Sequence, residues 1–267
     1  MDSLSDFDRF EFAHDGLTRD VFRKGAGPAV VVIHEIPGIT PPVARFARWV
    51  VDAGFTVFMP SLLGTPGEPR SVRNIGAAVV RACIAREFHV LARHRSSPVT
   101  DWLRALARQA HGECGGPGVG AVGMCLTGNF ALSMVLEPCL LAPVLSQPSL
   151  PFPVTAAHRR ALHLSPEELA ALKRRARDEG LCVLGLRFAG DLSSPPERFE
   201  TLRTELGPAF EGIEIPDAAV PDAHGLGPHS VLTEDLREVA GHPTAAARDR
   251  VLAFLRERLR PDQSSGD

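Results

Sequence analysis

The stretch from Val119 to Gly128 constrains the fold more than any other part of the chain. Its first residues, 119–123, form a short apolar run that is typical of a strand buried in a sheet. A cysteine, Cys125, follows among small residues, and residues 129–137 then have helical character. Strand, sharp turn and helix are the parts of a nucleophile elbow, which raises a reactive side chain above the end of a parallel sheet. We therefore predict that Cys125 lies in an active site.

Segments with strand and helix character alternate through the rest of the chain. Residues 8–13 and 17–23 predict an antiparallel hairpin at a sheet edge. Further strands are predicted at residues 29–34, 55–59, 140–145, 181–188 and 210–215. Helices are predicted at residues 41–53, 74–92, 98–110, 165–179, 194–206 and 243–259. The Ser165–Glu168 pattern, with a glutamate three residues after the serine, predicts a capping box at the start of the helix at 165–179. This alternation predicts an α/β fold, with a mostly parallel central sheet of about eight strands and helices on both faces.

The length of 267 residues is compatible with a single large core. We predict one domain over residues 1–260. Within it, residues 147–163 are irregular, basic and rich in proline, which is typical of a segment at the rim of a pocket. The polar residues 261–267 are expected to be a disordered tail.

The composition indicates which partners and which cellular location to expect for the protein. The formal net charge of -3 favours neither nucleic acid nor an anionic membrane as a partner, and no apolar run reaches the ~20 residues that a membrane-spanning helix needs. The five cysteines, without C-x-x-C spacing or a signal-like N-terminus, favour reduced thiols in the cytoplasm and no metal site. Arginine greatly outnumbers lysine, as in GC-rich bacterial genomes. We expect a small-molecule substrate and a monomer or homodimer.

Candidate catalytic residues follow the predicted strands. Glu35, Cys125 and Asp191 each lie just beyond a strand end, and His224 and His229 follow the last strand. Nucleophile, acid and histidine in this chain order are typical of an α/β-hydrolase triad. Cys125 would attack a carbonyl carbon, a histidine would move the proton, and Asp191 would orient the imidazole. The backbone N–H groups of Leu126 and Ile36 would bind the oxyanion.

The sequence resembles the dienelactone hydrolase family of α/β-hydrolases. The matching pieces are Val32–Ile39, Gly123–Leu126, Gly190-Asp191, and His229-Ser230 ahead of the segment Leu252–Leu255. The resemblance implies the α/β-hydrolase fold and the opening of an enol-lactone or ester through an acyl-cysteine, with no metal and no organic cofactor. It also implies that Glu35 pairs with the resting thiol and releases it when substrate binds.

The resemblance leaves two histidines open as the base. His229 has the His-Ser pair and the family's spacing to the last helix, and we favour it. His224, within His224-Gly225-Leu226, resembles the His-Gly-Phe form of other members and is the alternative. The remaining cysteines, Cys83, Cys114, Cys139 and Cys182, are expected to be packing residues.

Departures from the family's pattern concern the elbow and the substrate. Thr127 stands where a second small residue is expected, and Thr233 stands where dienelactone-specific enzymes have an arginine that engages the glutamate and the substrate carboxylate. The chain also has no tyrosine. Arg159 and Arg160 in the irregular segment are candidates to replace that arginine.

Two other functions are compatible with the same sequence. A thioesterase, cyclase or isomerase would keep the fold and site with different chemistry. A non-catalytic binding protein would keep the scaffold alone, and its Cys125 would react with thiol reagents no faster than an ordinary exposed cysteine.

Overall fold

A computed structural model describes residues 4–71, 73–76, 97–220 and 227–260. In these residues one sheet of eight strands has the order β1-β2-β4-β3-β5-β6-β7-β8. The strands are β1 Asp8–His14, β2 Leu17–Gly25, β3 Ala29–Ile33, β4 Thr56–Pro60, β5 Val119–Met124, β6 Leu140–Ser146, β7 Val183–Phe188 and β8 Phe210–Ile215.

The sheet is antiparallel at one edge and parallel elsewhere. Strands β1 and β2 form the predicted hairpin, and β2 also pairs antiparallel with β4. All remaining neighbours pair parallel. Every residue of β3, β4, β5 and β7 is buried, as expected for strands that are covered on both faces. The predicted fold class is confirmed.

Helices cover both faces of the sheet. They are α1 Pro41–Asp52, α2 Pro98–Cys114, α3 Gly128–Ser133, α4 Ala156–Arg160, α5 Pro166–Asp178, α6 Pro196–Leu206 and α7 Pro243–Leu259. Val31 and Ile33 of β3 pack in one apolar cluster with residues of α2, α3, α5 and α6. Val30 and Val32 pack in the other cluster, with residues of α1 and α7. The alternation of β3 side chains between the clusters is the two-residue period of a strand.

Several predicted details have different outcomes. The capping box that starts α5 is present, since Ser165 Oγ accepts from the N–H of Glu168 and the Glu168 carboxylate accepts from the N–H of Ser165. The segment 147–163 contains the short helix α4 and is not wholly irregular.

Some predictions concern residues outside the described ranges. These are most of the helix at residues 74–92, the tail 261–267, Cys83 and His224. The predicted domain limits stay a prediction. No helix in the described ranges is long and apolar enough to cross a membrane.

A buried arginine ties α5 to the segment that connects α3 with β6. The guanidinium of Arg175 donates to the carbonyl oxygens of Val135, Glu137, Pro138 and Leu140 at 2.9–3.0 Å. Only 5% of its side chain is exposed. The cation therefore satisfies backbone oxygens that follow the elbow helix and lack helical partners.

We expect Arg175→Met to lower the free energy of unfolding by about 3 kcal/mol, because several buried carbonyl groups would lose a charged donor. Urea unfolding followed by circular dichroism measures the change. Arg177→Met is the matched control on the same helix, because the Arg177 side chain is 74% exposed and pairs with Asp178 at the surface. Equal loss of stability in the two variants would contradict this account.

Candidate active site

The chain turns sharply at Cys125. Strand β5 ends at Met124, a single turn of 3-10 helix spans Cys125–Thr127, and α3 begins at Gly128. The φ angle of Cys125 is 55°, in the left-handed region that residues with a Cβ seldom adopt. This backbone conformation is the one expected for the nucleophile of an elbow, and the Cys125 side chain remains partly exposed.

Two glycines allow the turn to close. A Cβ on Gly123 would lie 2.4 Å from the carbonyl oxygen of Thr127, and a Cβ on Gly128 would lie 2.7 Å from Cα of Pro148. Both distances are shorter than van der Waals contact. Gly128 therefore provides the second small position of the elbow, one residue later than the family's pattern led us to expect.

Thr127 has a structural function at the place where the sequence departs from the family. Its hydroxyl accepts from the N–H of Met124 at 3.1 Å and lies 3.0 Å from the carbonyl oxygens of Ile33 and His34. It therefore holds the end of β5 next to the end of β3. Leu126 and Ile36, the predicted oxyanion-hole residues, follow these two strand ends and are brought to the same edge.

An aspartate and a histidine meet at this edge. Nδ1 of His229 lies 2.7 Å from Oδ2 of Asp191, and the Asp191 side chain is only 4% exposed. The other carboxylate oxygen of Asp191 accepts from the backbone N–H groups of Ser193 at 2.9 Å and Ser194 at 3.3 Å. Asp191 is thus fixed by its own loop and can orient the imidazole.

The same histidine interacts with Cys125. Burial lowers the pKa of His229. The charge interactions and hydrogen bonds with Cys125 and Asp191 raise this pKa by more than burial lowers it, so it lies well above its usual value. A raised pKa favours the imidazolium form of His229 at neutral pH. The structure therefore brings three of the predicted residues, Cys125, Asp191 and His229, into one interacting group.

The loop that follows β8 is shaped by an aspartate that the sequence analysis did not identify. Oδ2 of Asp235 accepts from the backbone N–H groups of His229 at 2.8 Å and Ser230 at 2.9 Å. We refer to residues 229–235 as the histidine loop. Asp235 therefore fixes the backbone that carries the imidazole. In the sequence, the only indication of this function was an acidic residue six positions after the histidine.

Glu35 lies beside the histidine loop. Its side chain is buried, and Ser230 Oγ donates to Oε2 at 2.8 Å while Thr233 Oγ1 donates to Oε1. Gln147 Nε2 donates to Oε2 at 3.3 Å. Cys125 is not one of these donors. Thr233, the residue at the position of the family's arginine, thus still engages the glutamate, with a neutral hydroxyl instead of a cation.

Gln147 is a second residue that the sequence analysis missed. It follows β6 with a positive φ of 37°, and its side chain is buried. Its Oε1 accepts from the hydroxyl of Ser146 and from the N–H of Val231 at 3.4 Å. Its amide therefore connects the end of β6, Glu35 and the histidine loop. Its position just after a predicted strand was the feature of the sequence that could have indicated a function at the site.

The segment 147–163 is attached to α6 through Arg198. This buried guanidinium donates to the carbonyl oxygens of Pro148, Pro151, His158 and Ala161 at 2.6–3.0 Å. Burial lowers the pKa of Arg198 to about 10, which leaves it charged at neutral pH. These contacts hold the predicted rim segment next to the loop that carries Asp191.

The candidates to replace the missing arginine do not contact Glu35. Arg159 forms a bidentate salt bridge with Glu197, at 2.8 and 3.0 Å. Arg160 is exposed, and its guanidinium lies 3.5 Å from the carbonyl oxygen of Ala156. The suggestion that either residue substitutes for the arginine is therefore not supported by their positions.

The other described cysteines pack against the apolar clusters, as expected. Cys114 and Cys139 contact one cluster and Cys182 the other. Burial and the neighbouring Glu137 raise the pKa of Cys139 to about 12, which keeps it a thiol at neutral pH. Within the described ranges, no group of three or more His, Cys, Asp and Glu side chains is placed to hold a metal ion.

The eight-stranded, mostly parallel sheet with helices on both faces is the α/β-hydrolase fold. The model of the dienelactone hydrolase family matches residues 19–149, which include Glu35 and Cys125. Over this region the chain matches a family of hydrolases, and the predicted resemblance is confirmed. Asp191 and His229 lie beyond the matched region. A search of curated protein sequences found none that matches the chain.

Solved structures of similar proteins agree with this fold. A candidate dienelactone hydrolase from Klebsiella pneumoniae is 21% identical with a TM-score of 0.59, and the match covers 93% of this chain and 98% of the other. The dienelactone hydrolase from Anabaena variabilis is 15% identical with a TM-score of 0.61, covering 96% and 100%. The metagenomic dienelactone hydrolase-like phosphotriesterase P91 is 14% identical with a TM-score of 0.59, covering 95% and 98%.

We expect Thr127→Val to lower the free energy of unfolding by about 2 kcal/mol and to reduce turnover, because the buried N–H of Met124 would lose its acceptor. Thr127→Ser keeps the hydroxyl and should retain most of both properties. Urea unfolding and turnover of each variant provide the measurements. If valine and serine have the same effect, the hydroxyl is not what orders the elbow.

We also expect acid to destabilise the protein through two buried histidines. Burial lowers the pKa of His34 and of His163 to about 4 in the folded chain. His34 must stay neutral because its Nε2 accepts from the N–H groups of Leu62 and Leu63. Between pH 6.5 and 4 the unfolded chain binds more protons at these sites, so stability falls as pH falls.

The test compares urea unfolding at about pH 7.5 and about pH 5 in wild type and His163→Asn, since asparagine tolerates the positive φ of residue 163. The stability lost on acidification should be smaller in the variant by about 1–2 kcal/mol. An unchanged difference between the two pH values would show that His163 already titrates normally in the folded protein.

Proposed function

We propose that the protein hydrolyses a lactone or activated ester through an acyl-cysteine intermediate. Cys125 is the nucleophile, His229 is the general base and acid, and Asp191 orients the imidazole. The observation that carries this proposal is the position of His229, which interacts with the Asp191 carboxylate through Nδ1 and with Cys125 at the same time.

In the first half of the reaction, the thiolate of Cys125 attacks the carbonyl carbon of the substrate. The oxyanion that forms is stabilised by the backbone N–H groups of Leu126 and Ile36. The imidazolium of His229 then gives its proton to the leaving oxygen, and the C–O bond breaks. In a lactone, the leaving oxygen remains attached to the acyl group as an alcohol or enol.

In the second half, His229 takes a proton from water as the water oxygen attacks the acyl-cysteine carbonyl. The tetrahedral species collapses, the C–S bond breaks, and a carboxylic acid leaves. Cys125 is again a thiolate beside the imidazolium. The net reaction adds one water to the ester bond, and Asp191 stays ionised throughout.

A second function, as a thioesterase, cyclase or isomerase, is favoured by Thr233. A neutral threonine at this position does not supply the cation with which dienelactone-specific enzymes bind a substrate carboxylate. The thioesterase domain from the curacin biosynthetic pathway has the same fold, with 10% identity and a TM-score of 0.56. Product mass separates hydrolysis from isomerisation, since only hydrolysis adds the mass of water.

We expect wild-type protein to turn over at least one member of a panel of dienelactones, simple lactones, thioesters and aryl esters, and Cys125→Ala to abolish that turnover. Asp191→Asn should lower kcat by orders of magnitude, because the imidazole would lose the acceptor that sets its tautomer. Mass spectrometry of wild-type protein during turnover should detect the acyl adduct on Cys125. Full turnover by Cys125→Ala would refute the proposal.

A further inference from the structure

Glu35 accepts hydrogen bonds from two hydroxyl groups of the histidine loop. Ser230 Oγ donates to one carboxylate oxygen at 2.8 Å, and Thr233 Oγ1 donates to the other. Both donors and the acceptor are buried. Since Ser230 is the residue directly after His229, the position of the Glu35 carboxylate is coupled to the position of the imidazole.

Gln147 strengthens the same attachment from the end of β6, which is separated from β3 by β5 in the sheet. Its Nε2 donates to Glu35, while its Oε1 accepts from the N–H of Val231 in the histidine loop. Asp235 orders this loop internally, whereas Glu35 and Gln147 join it to the ends of β3 and β6. Removal of the Glu35 carboxylate would leave the hydroxyls of Ser230 and Thr233 without their acceptor.

The contacts of Glu35 contrast with the function that the family resemblance implies. A glutamate that pairs with the resting thiol must release it when substrate binds. Here both oxygens of Glu35 accept from uncharged groups, and Cys125 interacts with His229. Thr233 places a short hydroxyl at the position where an arginine would reach toward substrate.

We infer that Glu35 is a positioning residue, which through Thr233, Ser230 and Gln147 holds the histidine loop so that Cys125 and His229 are paired before substrate arrives. This inference deepens the proposed function, and it rests on that proposal for the catalytic purpose of pairing Cys125 with His229. It assigns functions to Thr233 and Gln147 as well. It also makes the thiol reactive in the resting protein, and not only in a substrate complex.

The test measures alkylation of Cys125 by iodoacetamide in the full chain without substrate, between about pH 5 and about pH 9, with the Cys125 peptide quantified by mass spectrometry. The matched pair is Thr233→Val, which removes the hydroxyl, and Thr233→Ser, which keeps it. Glu35→Gln removes the charge. Thr201→Val is the control for loss of a hydroxyl elsewhere, because Thr201 donates within α6 to the carbonyl of Glu197.

We expect Thr233→Val and Glu35→Gln to move the pH midpoint of alkylation upward, so that the rate at about pH 6 falls about tenfold for each pH unit of the move. Thr233→Ser and Thr201→Val should follow the wild-type profile. Thermal unfolding of each variant verifies the fold, and if Glu35→Gln does not fold, the two Thr233 variants decide the outcome.

Alkylation of Glu35→Gln or Thr233→Val at or above the wild-type rate would overturn the inference, because Glu35 would then restrain the thiol. Equal profiles for valine and serine at position 233 would overturn it as well. The readout needs no substrate. Failure of the proposed function, seen as full turnover by Cys125→Ala, is therefore distinguishable from failure of this inference.

Discussion

The candidate active site depends on the hydrogen bonds of one buried hydroxyl, that of Thr127. It joins the end of β5 to the end of β3, two parallel strands that are neighbours in the sheet. Parallel pairing brings their carboxyl ends to one edge but does not fix the turns that follow. Because Thr127 lies inside the elbow, its contacts hold the turn at Cys125 beside the end of β3, which Glu35 and Ile36 follow.

A second set of buried polar contacts brings the later half of the chain to this edge. Asp191 is held by its own loop, His229 by Asp235 and Asp191, and the segment 147–163 by Arg198. Each contact satisfies a polar group that would be costly to bury alone. The order of the site therefore comes from loops that are fixed by hydrogen bonds within themselves, to one another and to α6, at the edge of a rigid sheet.

The sequence predicted those features that local patterns control. Apolar runs placed the strands, the Ser165–Glu168 pattern placed the start of α5, and small residues around Cys125 predicted the elbow. The functions of Gln147 and Asp235 were not predicted, because they depend on which loops meet in space. Gln147 and Glu35 are 112 residues apart in the chain, and Glu35 and Thr233 are 198 apart. No periodicity or local spacing carries that information.

The threonine at position 233 changes how a buried carboxylate can behave. A glutamate paired with an arginine can exchange one charged partner for another as substrate arrives, with its charge compensated throughout. Glu35 instead depends on neutral donors that belong to the histidine loop and to Gln147. If Glu35 moved toward the thiol, it would lose these donors while still buried, and an unsatisfied buried charge is strongly unfavourable. The same contacts that make Glu35 tolerable in the interior thus keep it, and the histidine loop with it, in place.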